Sequence, residues 1–260
     1  METIIVENFH KVIVDSNEAS FNFICDNKAD IYIEIQSCAK LNINLTVKNS
    51  ALCNLFILNE SQSDISINEC YDVLSDAKLN MAYVDCDNQK STRNCVVSLL
   101  KENASANIKS AILAQFVKSN TIKCISYFSN TSGIMENYGV VAENGTYSME
   151  ATGNITKGSF NSTSHQTSRA LTIGENSNTI ITPILLIDEN DVQASHATSI
   201  GQVDENQLVY LQSRGLTKSQ ILALITRGYL IPIASFFDDE KLNDFLVEKI
   251  ENKVNKVCLI

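Results

Sequence analysis

Short segments of alternating apolar and polar residues follow one another along the first three quarters of the chain. Residues 31–35 read Ile-Tyr-Ile-Glu-Ile, and residues 41–47 read Leu-Asn-Ile-Asn-Leu-Thr-Val. Side chains share one face of a β-strand at a period of two, so these segments predict strands. Asn, Asp, Ser and Gly separate them and accept turn geometry. The pattern therefore predicts an all-β region from Ile4 to about Val192.

Many short strands at regular spacing fit a sandwich, a barrel or a solenoid. The region contains one strong hairpin-turn signal, Asn144-Gly145, whereas a meander of this length needs several, and this favours a solenoid. Five cysteines recur at intervals of 13, 15, 17 and 16 residues, as small buried residues at equivalent positions of successive coils would. Chance, together with the preference of Cys for interiors, explains the series equally well. The five are Cys25, Cys38, Cys53, Cys70 and Cys86.

Helical signals begin after residue 200. Asp204 precedes an apolar segment, and Gly215 stands where the C-cap of a helix of about 9 residues falls. Residues 217–220, Thr-Lys-Ser-Gln, form a capping box for a second helix, which we expect to end at Gly228.

A third helix is predicted to open at residues 238–240, because Asp-Asp-Glu suits the positive end of the helix dipole. Its apolar residues fall on one face and are Leu242, Phe245, Leu246, Ile250 and Val254. The change in character divides the chain into two predicted domains, a β core at residues 1–200 and a C-terminal helical subdomain at residues 201–260.

The charge balance argues against two classes of partner. No run of Lys and Arg interrupts the acidic background of net charge −10, so the electrostatic footprint for nucleic acid or an anionic membrane is missing. The N-terminal segment lacks the basic and apolar regions of a secretory signal, and no later stretch is long and apolar enough for a membrane span. We expect a cytoplasmic protein that binds neither nucleic acid nor membrane.

The cysteines do not predict a metal centre of the chain's own. Eight cysteines in a cytosolic chain of 260 residues are typical of buried thiols rather than of a disulfide framework. No Cys-x-x-Cys pair is present, which argues against a structural zinc site and a ferredoxin-like cluster cradle. We expect the chain alone to bind no cofactor stably.

Three motifs in the last third of the chain are specific enough to carry a family resemblance. Residues 183–198 read Pro-Ile-Leu-Leu-Ile-Asp-Glu-Asn-Asp-Val-Gln-Ala-Ser-His-Ala-Thr. Residues 208–216 read Leu-Val-Tyr-Leu-Gln-Ser-Arg-Gly-Leu, and residues 221–230 read Ile-Leu-Ala-Leu-Ile-Thr-Arg-Gly-Tyr-Leu. This combination resembles the last coils and the following helices of SufD-type members of the SufB/SufD family.

The resemblance implies a mainly β fold, a right-handed parallel β-helix with a C-terminal helical cap. It implies a non-enzymatic scaffold subunit of iron-sulfur cluster assembly that pairs with a SufB-like subunit or with a second copy of itself. It also implies docking of SufC, an ABC-type ATPase that hydrolyses the ATP. The chain is consistent with this division of labour, since it has no Walker-type phosphate loop. By comparison with longer family members, we expect their N-terminal helical region to be missing from this sequence.

The family resemblance also points to candidate site residues. His196 is implied to help hold a transient iron-sulfur cluster at the subunit interface, and neutral imidazole suits iron. Glu189 and Asp191 are weaker candidate ligands, because charged turn residues are usually only solvated. Two departures limit the resemblance: Ala194 replaces a frequent Cys, and the cluster-building Cys of SufB would fall near Ser168.

The helical motifs supply the candidate contacts with a SufC-like ATPase, which are Leu211, Arg214, Leu222, Ile225, Gly228 and Tyr229. Two other functions stay open. A β-helix carbohydrate-active enzyme would need carboxylates clustered on one solenoid face, and a purely structural β-solenoid would need no ligand at all.

Overall fold

Fourteen strands and three α-helices make up the part of the chain that the computed structural model describes, residues 3–173, 176–233 and 240–258. The strands are β1 (Thr3–Asp15), β2 (Glu18–Ser37), β3 (Lys40–Val47), β4 (Leu52–Asn59), β5 (Ile65–Val73), β6 (Lys78–Asp85), β7 (Ser91–Leu99), β8 (Ser105–Ala114), β9 (Val117–Ser126), β10 (Ser132–Val141), β11 (Thr146–Ile155), β12 (Ser162–Thr172), β13 (Asn178–Ile187) and β14 (Val192–Gln202). The helices are α1 (Glu205–Ser213), α2 (Lys218–Leu230), a 3-10 turn at Ile231–Ile233, and α3 (Glu240–Cys258).

The strands form a parallel β-solenoid with two strands in each coil. All pairing is parallel, and strands β3 to β13 with odd numbers form one face while strands β4 to β14 with even numbers form the other. The long strand β2 belongs to both faces, because its first half pairs with β3 and its second half with β4. Strand β1 pairs with β2 and forms the first edge. The predicted parallel solenoid is therefore confirmed.

The length of a coil corrects the interpretation of the cysteine series. Cys53 pairs with Leu79 and Leu79 pairs with Ala106, so successive coils contain 26 and 27 residues. The cysteine intervals are closer to half a coil than to a whole coil, because a coil contains two strands and two turns. Successive cysteines therefore do not occupy equivalent positions of successive coils. The five cysteines therefore do not stack, and Cys70 is exposed on the outer surface.

The alternation in the sequence separates the lumen from the outside. In β3 every second residue is buried, beginning with Leu41 and Ile43, while Asn42 faces outward. Asn68 and Asn94 extend an amide ladder on this outer face, with each Nδ2 donating to the Oδ1 of the residue one coil back at 3.4 Å.

Asparagines also build the corners between strands. Asn103, Asn130, Asn144 and Asn161 have φ values of 56–58°, a left-handed conformation that Asn tolerates better than most residues. The Asn144-Gly145 pair forms one of these corners and not a hairpin, because it joins β10 to β11, which pair with other strands.

The C-terminal helices lie along the flank of the solenoid rather than over its last coil. Their buried residues, such as Leu230, Leu246 and Ile250, pack against outward-facing apolar residues of the even strands, including Phe56 and Val84. The predicted C-terminal helical cap is confirmed as three helices. It lies on the flank because the outer surface of the even strands is apolar, and helices α2 and α3 cover this surface. None of the described helices is both long and apolar enough to cross a membrane.

The helix boundaries follow the capping signals with one exception. Asp204 caps α1 by accepting from the Asn206 backbone N–H at 2.7 Å, and Gly215 ends it with φ +93°. The capping box of Thr217 and Gln220 is formed. Helix α2 does not end at Gly228 but continues to Leu230.

Two predicted features of the third helix fall outside the described residues. They are Asp238-Asp239 at its start and the side chain of Leu242.

Candidate functional site

The last coil of the solenoid presents an open end. Strand β14 pairs with β12 along one edge, and no described strand pairs with its other edge. Ten of its eleven residues are exposed, whereas its partner strand β12 alternates over most of its length between buried and accessible residues. An open edge of this kind carries unpaired backbone N–H and C=O groups, which are a template for another strand.

His196 lies in the middle of β14, directly beside Gln166 of β12. Gln166 is 3% exposed and belongs to the inward-facing residues of its strand. His196 continues that inward-facing column in the last coil, where no further coil covers it, and it is exposed. Its imidazole is therefore presented at the open end of the lumen.

The lumen beneath His196 is polar. Gln166 Nε2 donates to the Ile184 carbonyl at 2.8 Å and so links β12 to β13 across the interior. Ser168 is 1% exposed and its Oγ accepts from Asn137 Nδ2 at 3.2 Å. Ser110 Oγ in turn donates to Asn137 Oδ1 at 2.8 Å. The hydroxyl of Ser168 is thus used in an internal hydrogen-bond ladder.

Ala194 shares a face of β14 with His196, because the two are two residues apart on one strand. A thiol at position 194 would lie beside the imidazole on the same open surface. The sequence departure at Ala194 therefore removes a sulfur from the immediate surroundings of His196.

Glu189 and Asp191 lie at the corner between β13 and β14. The Gly158 backbone N–H donates to Glu189 Oε2 at 2.9 Å and, with the Asn190 backbone N–H, lowers the pKa of this carboxyl. The Asp191 carbonyl accepts from the Asn161 backbone N–H at 2.6 Å. Asp191 precedes His196 by five strand residues, roughly 16 Å at the usual rise, so the fold does not bring these groups together. Their role as ligands stays a prediction.

No group of three potential His, Cys, Asp or Glu metal ligands occurs among the described residues. His165 faces outward from β12, where its Nδ1 lies 2.7 Å from Ser195 Oγ. His10 makes an edge-on contact with the Phe23 ring at a centroid distance of 6.0 Å. His196 accordingly stands apart from the other two histidines, which are engaged locally.

The candidate ATPase contacts differ in whether they pack against the solenoid. Leu222 and Tyr229 pack partly against the solenoid flank, so part of their apolar surface is already used. The Arg214 guanidinium lies 5.3 Å above the Tyr210 ring and is exposed. Gly228 is exposed, and Leu211 and Ile225 are half-buried.

Sequence reasoning missed the most exposed apolar side chains of the first two helices. Val209 and Tyr210 on α1 are 64% and 57% exposed, and Leu224 on α2 is 54% exposed. Helix α1 buries none of its residues. The signal was the run Leu-Val-Tyr-Leu at residues 208–211, because four consecutive apolar or aromatic residues cannot all lie on one face of a helix.

A network of charged residues inside the lumen was also missed. Arg93 forms a two-pronged ion pair with Glu69, at 2.7 and 2.6 Å, and both side chains are fully buried. Burial opposes the charge on Arg93, but Glu69 outweighs it and raises the pKa of the guanidinium. Strand alternation could have predicted that both side chains are buried, since they occupy inward-facing positions on β5 and β7.

A second buried ion-pair group lies nearby. Lys118 Nζ contacts Asp85 and Asp87 at 2.7 and 2.6 Å. Burial and the charge of Asp85 raise the pKa of Asp87 to about 7. Burial alone would lower the pKa of Lys118, but the two carboxyl groups raise it. Both carboxyl groups are buried inside the core and are not presented on a solenoid face.

Comparison with known proteins connects this architecture to a family. A family model described as "SUF system FeS cluster assembly, SufBD core domain" matches residues 5–229, which includes nearly all of the solenoid and helices α1 and α2. The chain belongs to the SufB/SufD family.

Relatives within this family include the iron-sulfur cluster assembly protein SufD of Bacillus subtilis, which is 36% identical over 134 residues. SufD of Escherichia coli is 22% identical over 165 residues, or 62% of this chain and 38% of that protein. A SufBD family protein of Mycobacterium tuberculosis is 34% identical over 112 residues, or 43% of this chain and 13% of that protein. The match covers 52% of this chain and 31% of the Bacillus subtilis relative. The resemblance to SufD stated from the motifs is therefore confirmed.

Proposed function

We propose that the chain is a SufD-like, non-enzymatic scaffold subunit of iron-sulfur cluster assembly. Three elements make up this proposal: pairing through the open end of the solenoid, a role for His196 in holding the nascent cluster there, and docking of a SufC-like ATPase on α1 and α2. The observation that carries it is the exposure of β14 with His196 on its inward-facing column.

Pairing is supported by the unpaired edges and exposed apolar residues of the last coil. Ile180 of β13 and Ile200 of β14 are 52% and 50% exposed, which is a high value for branched apolar residues at the end of a core. A second solenoid end placed against this surface would bury these side chains and pair the free strand edges. The partner is a SufB-like subunit, with a second copy of this chain as the alternative.

A role for His196 in a shared site is supported by its isolation. One imidazole cannot hold an iron-sulfur cluster, and no second thiolate or imidazole lies beside it in the last coil. A partner must supply the other ligands, so the cluster is cargo held between subunits and not a cofactor of this chain alone.

Docking of the ATPase is supported by the apolar surface of α1 and α2. Val209 and Tyr210 on α1 and Leu224 on α2 are exposed, whereas the buried apolar residues of α2 face the solenoid. Contiguous patches of exposed apolar side chains mark protein–protein interaction sites. The candidate contacts predicted from the motifs belong to the same two helices and the C-cap of α1, and they are Leu211, Arg214, Leu222, Ile225, Gly228 and Tyr229.

The test is co-purification of the chain with the SufB-like and SufC-like proteins of its organism. His196→Ala is compared with Ser195→Ala, the neighbour that faces the opposite side of β14. We expect both variants to form the complex and only His196→Ala to lower the iron and sulfide content after anaerobic reconstitution. Absence of any association with either protein would reject the scaffold function, and equal cluster yield in both variants would reject the role of His196.

The ATPase surface is tested separately with Leu224→Asp. Because Leu224 is exposed, the substitution should leave folding unchanged and weaken retention of the SufC-like protein at least tenfold. Phe160→Asp, at a solenoid corner where Phe160 is 52% exposed, is the matched control. Equal retention of the SufC-like protein by the two variants would show that the exposed surface around Leu224 on α2 is not the ATPase contact.

A further inference from the structure

The middle of the solenoid lumen contains buried polar atoms that no described residue satisfies. Arg93 Nη1, Asn120 Oδ1 and the Tyr147 hydroxyl are solvent-inaccessible and have no hydrogen-bond partner among the described residues. Buried groups of this kind nearly always have a partner, either in the protein or in ordered water. Three of them in one compartment therefore need an explanation.

The three residues are neighbours in the solenoid. Arg93 of β7 and Asn120 of β9 are directly paired, so their side chains follow each other along one inward-facing column. Tyr147 of β11 lies one coil further, beside Lys118 and two residues from the partner of Asn120. Its ring crosses the lumen toward β10, where Gly139 leaves the space that a Cβ would occupy.

The free atoms complement one another. Arg93 Nε and Nη2 each donate to Glu69, and the guanidinium lies 4.3 Å above the Tyr83 ring, whereas Nη1 donates to no described residue. Asn120 Oδ1 can only accept, while the Tyr147 hydroxyl can do both. Burial raises the pKa of Tyr147, so its hydroxyl keeps its proton at neutral pH.

The charge balance selects the class of ligand. Glu69 neutralises Arg93, and Asp85 and Asp87 neutralise Lys118, so no cation is left to attract an anion. Both oxygens of Glu69 accept from the Arg93 guanidinium, whose positive charge would repel a metal ion at this carboxylate. A small neutral molecule that both donates and accepts fits the three atoms, and water meets this requirement with two to four polar partners.

We propose that the lumen holds an ordered water molecule bound by Arg93 Nη1, Asn120 Oδ1 and the Tyr147 hydroxyl. This water completes the hydrogen bonding of the buried Arg93–Glu69 pair and joins three successive odd strands through one site. The site lies in the middle of the solenoid and does not depend on the proposed role of the open end.

A crystal structure of the whole chain at high resolution is the direct test. We expect an isolated density peak at hydrogen-bond distance, about 2.7–3.2 Å, from at least two of the three atoms. A dry lumen in which Arg93 Nη1 bonds directly to Asn120 Oδ1 would overturn the proposal.

Oxygen-17 magnetic relaxation dispersion of water gives the same answer in solution, because it counts waters that stay bound for longer than nanoseconds. Tyr147→Phe removes one hydroxyl and little volume, and we expect it to reduce the dispersion amplitude or the residence time. Asn120→Leu should remove the contribution of about one water.

Tyr127→Phe, whose side chain is 43% exposed, is the control and should change nothing. If Asn120→Leu does not fold, Tyr147→Phe and the wild-type crystal structure decide the question. Identical dispersion in wild type and Tyr147→Phe, together with a dry lumen, would contradict the site.

Discussion

The two outer faces of the solenoid differ although the strands beneath them share one core. On the even strands the outward-facing residues Tyr32, Phe56, Ala82 and Val84 are apolar and at most 1% exposed, because α2 and α3 cover them. On the odd strands the outward positions begin with the polar ladder of residues 42, 68 and 94. The inward-facing residues stabilise the coil on both faces, whereas the outward-facing residues determine which face the helices can cover.

The largest expected effect comes from the covered face. Phe56→Ala should lower the free energy of unfolding by about 3–5 kcal/mol, because it leaves a cavity between the even strands and the helices. Urea unfolding monitored by circular dichroism measures it. Phe160→Ala is the control, since Phe160 is 52% exposed, and should change the value by less than about 0.5 kcal/mol. Similar losses in the two variants would mean that the helices do not bury the even face.

The amide ladders give a smaller contrast between the faces. On the even side Asn54 is 4% exposed, donates to Asp30 at 2.7 Å and accepts from Asn80 at 2.8 Å. Asn54→Leu should cost about 1–2 kcal/mol in the free energy of unfolding, because it leaves two partly buried polar groups unpaired.

On the odd side Asn68 is exposed and its ladder bonds are 3.4 Å long. Asn68→Leu should therefore cost less than about 0.5 kcal/mol. Thermal or urea unfolding of both variants measures the contrast, and an equal loss in both would show that exposure does not control the strength of the ladders.

The ion pairs that hold α3 against the even face should contribute less. Lys249 Nζ lies 2.8 Å from Glu60 and 3.7 Å from Glu34. Lys249→Met should lower stability by about 0.5–1 kcal/mol and speed amide hydrogen exchange in α3. Lys109→Met is the control, because its pair with Glu136 is more exposed, and it should have almost no effect. Unchanged exchange in α3 would exclude a role for Lys249 in docking.

The same contact should depend on pH. Burial alone would raise the pKa of Glu34, but hydrogen bonds from Gln36 and Tyr32 and the charges of Lys249 and Lys11 lower it overall. A carboxyl group with a lowered folded pKa stabilises the protein above its unfolded pKa, about 4.5, and this contribution is lost as pH falls through the lower folded value. The difference in stability between wild type and Lys249→Met should therefore shrink below about pH 4. A difference that stays constant from pH 7 to pH 3 would contradict the ionic contact.

The contrast between the faces was partly readable from the sequence. Odd strands such as β3 alternate strictly, whereas β4, Leu-Cys-Asn-Leu-Phe-Ile-Leu-Asn, is almost continuously apolar. Strands buried on both faces have this continuous pattern. Alternation therefore predicted the strands, the scarcity of hairpin-turn signals favoured a solenoid, and the continuous apolar runs contained the signal for the helix-covered flank. The position of the helices was not predicted, because the helical motifs indicate the helices but not the face of the solenoid that they cover.

The candidate site was predicted less completely than the fold. The motif around residue 196 identified the histidine, but only the strand register places it on the inward-facing column of an uncovered coil. The register depends on pairing across 30 residues, which local sequence does not specify. The buried pair of Arg93 and Glu69 was missed for the same reason, because its partners are 24 residues apart.

The helices run back along the flank from the last coils to the first, so their length must match the number of coils. Helix α2 packs on β8 and β10, near the end where the helices begin, while α3 reaches Tyr32 and Glu34 of β2. Insertion or deletion of one coil would keep every strand in register but would shift the first coil by one strand spacing relative to α3, about 4.8 Å. Lys249 would then miss its carboxyl groups. Coil number and helix length are therefore coupled, and this chain can change length by whole coils only if its helices change with them.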